Sequence, residues 1–446
     1  MKRRRIVLVG GGSVQWTTYI VKDMLLTGAI SDSDFILLDI DRKASDLTAA
    51  FLTKLNAELK TGARFVSTDD QQQALRGADY VIITISTGGL KAMANDLAIP
   101  EKYGIYHTVG DTSGPGGWAR CIRNFGVFVA LARDLRRLAP HAVVLNYTNP
   151  MATLTAVLAR LHPGPVVGLC HGLFENLEFL KNLYGLKNEE EMSLRYAGLN
   201  HFFWITEARA NGKDLLADLR QRVRSTDLTR LHKASHPDPM GFTSKHDVAT
   251  ELFRMTGCLP YIGDRHISEF SSSYITNPET LQKYRLERTT IRDRQEGMDK
   301  KRLRLREAVR GTIGKGYRQR SRETAADIIA AHSQGKTFID VGNVPNIGQV
   351  SNLPHGTVLE TAVCVDRHGF TPLTFGALPP VVAGLVEPFC RSFDLCAEAC
   401  FRGDRQMALQ ALRLDPVCAH LTGAQVQELG RRLLHAHRAF VPAKWG

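Results

Sequence analysis

Ile6-Val7-Leu8-Val9-Gly10-Gly11-Gly12-Ser13 places an apolar run of strand length directly before a glycine cluster, with a helical segment behind it. In that setting glycines let the backbone approach a pyrophosphate, and the N-terminus of the following helix faces the negative charge. The third glycine of G-x-G-x-x-G is missing, with Gln15 in its place, so the surroundings must support the reading. They do. Phe35–Leu38 is a second apolar stretch that ends in Asp39, the position of an acid that reaches a ribose hydroxyl, somewhat beyond the usual ~20 residues. An acid there repels a 2′-phosphate and favours NAD over NADP. Gly10, Gly12, Ser13 and Asp39 are therefore candidate cofactor contacts, an ordinary tight turn and a helix-capping acid being the alternatives.

Working outward, Tyr80–Ile85, Val143–Leu145 and Val166–Leu169 read as further strands separated by amphipathic segments. That alternation predicts right-handed βαβ crossovers and a parallel sheet, whose carboxyl edge binds ligands. Near residue 196 the texture changes. Tyr196–Ala208 reads as a strand region of a second unit, Asp214–Lys233 as a charged helix and His236–Pro239 as a loop. Phe338–Val341 and Val358–Val365 restore strand character, and Pro379–His437 reads as two or three helices. The expected class is α/β: a Rossmann-type NAD-binding domain over 1–196, then a mixed α+β domain over 197–446 for substrate, metal and oligomerisation.

With 446 residues, 43% of them hydrophobic, the chain has ample material for two packed lobes. It has no apolar run long enough for a membrane span and no signal-peptide core, so a cytoplasmic protein without a membrane partner is expected. Eight scattered cysteines without a CxxC pair suit reduced thiols, mostly filling core. The net charge of +12 is concentrated between Lys283 and Arg322. Lacking interleaved aromatics or an RNA-binding signature, that segment predicts a solvated helix face and no nucleic-acid partner, with attraction of an anionic substrate as a milder role.

Cys170-His171-Gly172 follows the Val166–Leu169 strand, and Gly198-Leu199-Asn200-His201 comes later. A thiolate and an imidazole at adjoining strand ends hold a divalent transition metal and leave positions open for substrate oxygens. Alone, such a pair is more often part of a core than a ligand set. The ordered series changes that: Gly-Gly-Gly-Ser, Asp39-Ile40-Asp41, Gly-Asp-Thr-Ser-Gly-Pro-Gly-Gly over Gly110–Gly117, Asn146-Tyr147-Thr148-Asn149-Pro150, Cys-His-Gly, Gly-Leu-Asn-His and Asn352-Leu353-Pro354. Together these motifs resemble the family 4 glycoside hydrolases, an NAD-dependent exception to two-carboxylate glycoside hydrolysis whose fold is like that of lactate and malate dehydrogenases.

The resemblance implies a redox-assisted elimination. NAD⁺ oxidises the sugar's C3 hydroxyl, a base removes the acidified C2 proton, a metal stabilises the resulting anion and the C1 aglycone leaves. Water then adds, and the retained NADH reduces C3. It further implies that Cys170 and His201 ligate Mn²⁺, that Asn149 contacts the sugar, and that Thr87 and Asn146 line the cofactor or sugar edge. For the base, Tyr261-Ile262-Gly263-Asp264-Arg265-His266 resembles members acting on non-phosphorylated α-glycosides, which points to Asp264 with Tyr261 in reserve. His171, directly after the metal cysteine, is the expected acid, and Asp111 the alternative donor.

The Cys-His-Gly form resembles members that cleave α-linked galacturonides and glucuronides. A C6 carboxylate needs fixed cations or donors, for which Arg265, His266 and Arg120 are candidates, with Gly172 leaving room. Neutral α-galactosides or α-glucosides and 6-phosphoglycosides are alternatives within the family, and a 2-hydroxy-acid dehydrogenase or an NAD-sensing regulator are alternatives outside it. The expected partners are a small glycoside and further copies of the chain, as a dimer or tetramer.

Overall fold

Thirteen strands join one sheet in the computed structural model, which describes residues 3–231, 244–442 and 445. In chain order they are β1 (Arg5–Val9), β2 (Asp34–Leu38), β3 (Arg64–Thr68), β4 (Tyr80–Ile83), β5 (Val143–Asn146), β6 (Val166–Gly168), β7 (Met192–Leu199), β8 (Phe202–Ala210), β9 (Lys213–Asp214), β10 (Leu259–Pro260), β11 (Phe338–Pro345), β12 (Val358–Asp366) and β13 (Gly369–Pro372). β3-β2-β1-β4-β5-β6 run parallel, as the alternating pattern predicts. The sheet does not stop there. β11 pairs antiparallel with β6 at Asn343 and Gly168, and β12, β7, β8 and β10 extend it.

The apolar character of β1 follows from cover on both faces. Ile6 and Leu8 pack into one apolar layer, Val7 and Val9 into the other. Truncating Leu8 to Ala would cost ~2–5 kcal/mol, because its layer cannot collapse around the void. β3 was not expected. It lies at the sheet edge with alternate side chains facing solvent, so Arg-Phe-Val-Ser-Thr carries little apolar signal.

The expected strand at Tyr196–Ala208 is a hairpin, β7 and β8, turning at Asn200-His201 with His201 at φ 64°. Gly-Leu-Asn-His therefore lies at a turn. Three helices close the chain: Pro380–Arg402, Arg405–Leu414 and Gly423–Ala436. The expected helix at Asp214–Lys233 is two shorter ones, Leu215–Arg222 and Leu228–Leu231, and the loop at 236–239 lies outside the described residues. Among the described residues no helix is long and apolar enough to cross a membrane, and all eight cysteines are free thiols.

The basic segment is more than a solvated face. Its helix, Ile291–Arg310, ends on the Lys54 ammonium, which donates to the Ala308 and Val309 carbonyls at 2.9 and 3.1 Å. That cation meets the negative end of the helix dipole. Lys301 donates to the Gln15 side chain, so the helix lies against the glycine loop.

Candidate active site at the carboxyl edge of the sheet

Gly10 leaves β1 at φ 97°, and Gly10 and Gly11 donate to the Leu38 carbonyl. A Cβ on Gly12 would stand 2.7 Å from the Ala44 methyl and 2.9 Å from Asp39 Oδ2, so only glycine fits. Asp39 holds the loop from the other side, accepting from Gly12 N at 2.8 Å and Asp41 N at 2.9 Å. The loop opens into a cleft of about 460 Å³. Gly12, Ser13, Asp111, Arg120, Asn149, Cys170, His171, His201 and His266 all line it.

Three side chains converge inside. Asp111, His201 and His266 each bring one potential ligand atom within 4.8 Å of the others. Thr112 organises them. Its hydroxyl donates to Asp111 Oδ1 at 2.8 Å and lies 3.0 Å from His201 Nδ1. With its single proton committed to the carboxylate, that hydroxyl accepts from His201 Nδ1–H, which leaves the Nε2 lone pair available. Thr112 owes its position to Gly117, where a Cβ would strike the Thr112 carbonyl at 2.4 Å.

Burial sets most of the charges here. Desolvation pulls His201 down to about 4 and His266 well below its ordinary range, with the neighbouring His201 adding to the latter, so both rings are neutral. Burial acts to raise Asp111, but Arg120, His266, His201 and Arg294 outweigh it and hold the carboxyl well below the usual range. Asp111 is thus ionised and poorly suited to the proton-donor role considered for it. Desolvation, with Glu360 nearby, lifts the Cys170 thiol well up. A bound cation would reverse that balance, because it stabilises the thiolate directly.

Several expected residues do not face the cleft. Asp264 is 2% exposed, and its oxygens accept from Val248 N at 3.3 Å and Ala249 N at 3.0 Å, capping the helix Asp247–Thr256. Burial raises it to about 7 against those two backbone bonds. Tyr261 stacks on Phe203 and lies behind His201. Arg265 turns inward to Glu287 O, Thr289 Oγ1 and Thr108 O. Asn146 is wholly buried and bonds Thr148 and Thr155, so its amide shapes the loop after β5. Nor does Thr87 line the cleft; its backbone is held by Asn124 and Arg123, while its neighbours Thr84, Ile85 and Ser86 take that place. Gly172 makes room for the Tyr261 ring, which a Cβ would approach to 3.3 Å.

Several participants escaped sequence reasoning. Glu269 receives Val109 N, Gly110 N and the Thr108 hydroxyl, anchoring the strand of chain that ends in Asp111. Glu323 stands 3.9 Å from His171 Nδ1. Arg294, Lys301 and Arg302 bring the basic helix to the cleft wall. Only Thr112 lay inside a quoted motif; Glu269 and Glu323 sit in stretches with no local signature.

The residues also suit the groups that the resemblance implies. Asn149 Oδ1 and His266 Nδ1 are buried without a protein partner among the described residues, in the cleft that the His201 ring and the Cys170 thiol also line, although Cys170 stands outside the Asp111–His201–His266 cluster. That donor set fits a divalent transition metal, and the glycine cradle beside Asp39 fits a dinucleotide.

Known proteins bear on the same residues. Family 4 glycosyl hydrolase matches residues 5–186, and the family's C-terminal domain matches residues 196–418. The chain belongs to the family 4 glycosyl hydrolases. Family membership disfavours the hydroxy-acid dehydrogenase reading, although a Plasmodium falciparum malate dehydrogenase shares the fold at a TM-score of 0.51 over 89% of this chain and 98% of its own, at 12% identity. Among relatives, an alpha-galacturonidase of Bacillus subtilis is 33% identical over 93% of each chain. An alpha-galactosidase of the same organism is 30% identical over 98% of this chain and 99% of its own. Family 4 structures superpose along the whole length. The crystal structure of Bacillus subtilis lplD matches at a TM-score of 0.87 and 30% identity, over 97% of this chain and 100% of its own. A 6-phospho-alpha-glucosidase from gut microorganisms, solved with NAD and Mn²⁺, gives 0.83 over 99% of both chains at 20% identity, which speaks for the fold.

Proposed function

We propose that this family 4 glycosyl hydrolase cleaves α-linked uronides, α-galacturonides first among them, with NAD retained at the glycine loop and a divalent metal, Mn²⁺ by preference, at Cys170 and His201. One observation carries the choice of sugar: Arg120, Arg294, Lys301 and Arg302 line the same cleft as the ligand cluster, giving cations for a C6 carboxylate. The alpha-galacturonidase relative supports it. When bound, NAD would take and return the C3 hydride, and the metal would act as Lewis acid at O2 and O3.

The chain's own residues do the rest. Gly10, Gly12, Ser13 and Asp39 hold the cofactor, and 1–196 acts as its domain while 197–446 completes the sugar site and the contacts of a cytoplasmic dimer or tetramer. Thr112 fixes the His201 tautomer, and Asn149, accepting Arg120 Nε on its carbonyl at 2.9 Å, orients the sugar. His266, whose ring lines the cleft and whose Nδ1 has no protein partner among the described residues, is left off the metal and takes the C2 proton. His171 gives a proton to the leaving oxygen, oriented by Glu323. Asp264, the base expected from sequence, supports this arrangement by capping the helix behind it.

A panel of nitrophenyl α-galacturonide, α-glucuronide, α-galactoside and 6-phosphoglycoside tests the reading. The expected result is turnover of the uronides, with Arg120→Ala raising KM for them far more than for the other glycosides. Preference for the neutral or phosphorylated glycosides would overturn the sugar assignment.

A further inference from the structure

Away from the cleft, the helix Gly114–Leu138 crosses the helix Pro380–Arg402, and three thiols meet at the crossing. Cys121 comes from the first helix, Cys396 and Cys400 from one face of the second, at the i and i+4 positions that side chains of one helix share. Their sulfurs all lie within 4.8 Å of one another. Cys121 and Cys396 are buried, and Cys400 is partly buried. Cysteines often fill cores singly. Three converging sulfurs supply the full donor set of a three-coordinate ion.

Dimensions agree with that. Bonds of about 2.3 Å at the near-right angles of a pyramidal trivalent centre place sulfurs about 3.3 Å apart, so the three need close by no more than about 1.5 Å. Charge decides which ion. The groups acting most on these thiols are one another and, for Cys121, the Thr153 hydroxyl. Three thiolates around a divalent ion would leave a net negative charge among largely buried sulfurs, which is disfavoured. Around a trivalent ion the complex is neutral.

We propose that Cys121, Cys396 and Cys400 form a second ion site, separate from the cleft, for a trivalent thiophilic metalloid of which arsenite is the type. Binding exchanges ligands without redox change: As(OH)₃ and three thiols give As(SR)₃ and three waters. Three As–O bonds break, three As–S bonds form, and the thiol protons leave on the hydroxides.

Arsenite titration of the Cys170→Ser protein tests the site with the cleft thiol removed. Native mass spectrometry should find one arsenic per chain, accompanied by loss of three protons. In the same background Cys121→Ala, Cys396→Ala and Cys400→Ala should each weaken binding at least ~100-fold, and Cd²⁺ should bind less tightly than arsenite. Peptide mapping needs no change at these three positions: arsenite should shield all three from alkylation together. No stoichiometric uptake by Cys170→Ser, undiminished uptake by Cys121→Ala, tighter binding of Cd²⁺, or alkylation of the trio unaffected by arsenite would each overturn the proposal.

Discussion

At the glycine end of the cleft, Gly10–Ser13 and Asp39 come from the ends of β1 and β2, which are neighbours in both sequence and sheet. At the other end, Asp111, Cys170, His201 and His266 arrive on four separate segments and meet only because β6, the β7–β8 hairpin and two loops converge. The first is a local device, specified by what glycine permits and what one acid accepts. The second depends on residues such as Thr112 and Glu269, which hold other groups in place. If this contrast is right, damage at one end should leave the other working.

The sharpest break is Cys170→Ser. Turnover and Mn²⁺ affinity should each fall by more than ~100-fold, while NAD binding, followed by calorimetry, stays within about twofold. Parallel loss of NAD binding would show that Cys170 supports the fold at both ends. Thr112→Val tests tautomer control at the same end. Removing the hydroxyl frees His201 Nδ1, and Mn²⁺ affinity should drop ~10–100-fold, with Thr112→Ser restoring most of it. An unchanged affinity would mean the ring is fixed by packing alone.

These two changes also divide what could be read from the chain alone. The parallel sheet was legible because β1, β2, β4 and β5 are apolar on both faces, and the glycine loop because only glycine survives between Ala44, Leu37 and Thr84. Cys170 and His201 were read as a pair through a motif series, and both line the cleft. Their partners were not. Thr112 acts through an ordinary hydroxyl, Glu269 through backbone amides some 160 positions away in the chain, and neither contact leaves a pattern in local spacing. Asp264 meets a related limit: a carboxylate capping a helix, as it does here, and one poised for chemistry are the same letter. His266, two residues on, is the one whose ring reaches the cleft.

At the glycine end the effects should be smaller. Asp39→Asn retains a hydrogen-bonding side chain but loses the charge, so NAD affinity should fall ~10-fold with Mn²⁺ affinity untouched. A matching fall in Mn²⁺ binding would join the two ends. Asp264→Asn acts on stability rather than binding, and it sharpens the contrast by removing a titrating group from behind the cleft. Burial raises the folded-state pKa from 3.8 to about 7, so between those values the folded chain keeps a proton that the unfolded chain has released. Stability therefore falls as pH rises through that window. The Asn variant cannot titrate, and it should gain on the wild type by up to ~1.4 kcal/mol per pH unit until about pH 7, then no further. Thermal melts at several pH values read this directly. A constant offset would mean that the carboxyl is solvated and available for chemistry.

The central claim is that both ends serve one hydrolytic turnover. It is tested most directly by stripping the protein of nucleotide and metal, then restoring NAD⁺ and Mn²⁺ singly and together on nitrophenyl α-galacturonide. Nitrophenol release should require both, with no net accumulation of NADH. Release with neither, or NADH rising in step with product, would contradict the account.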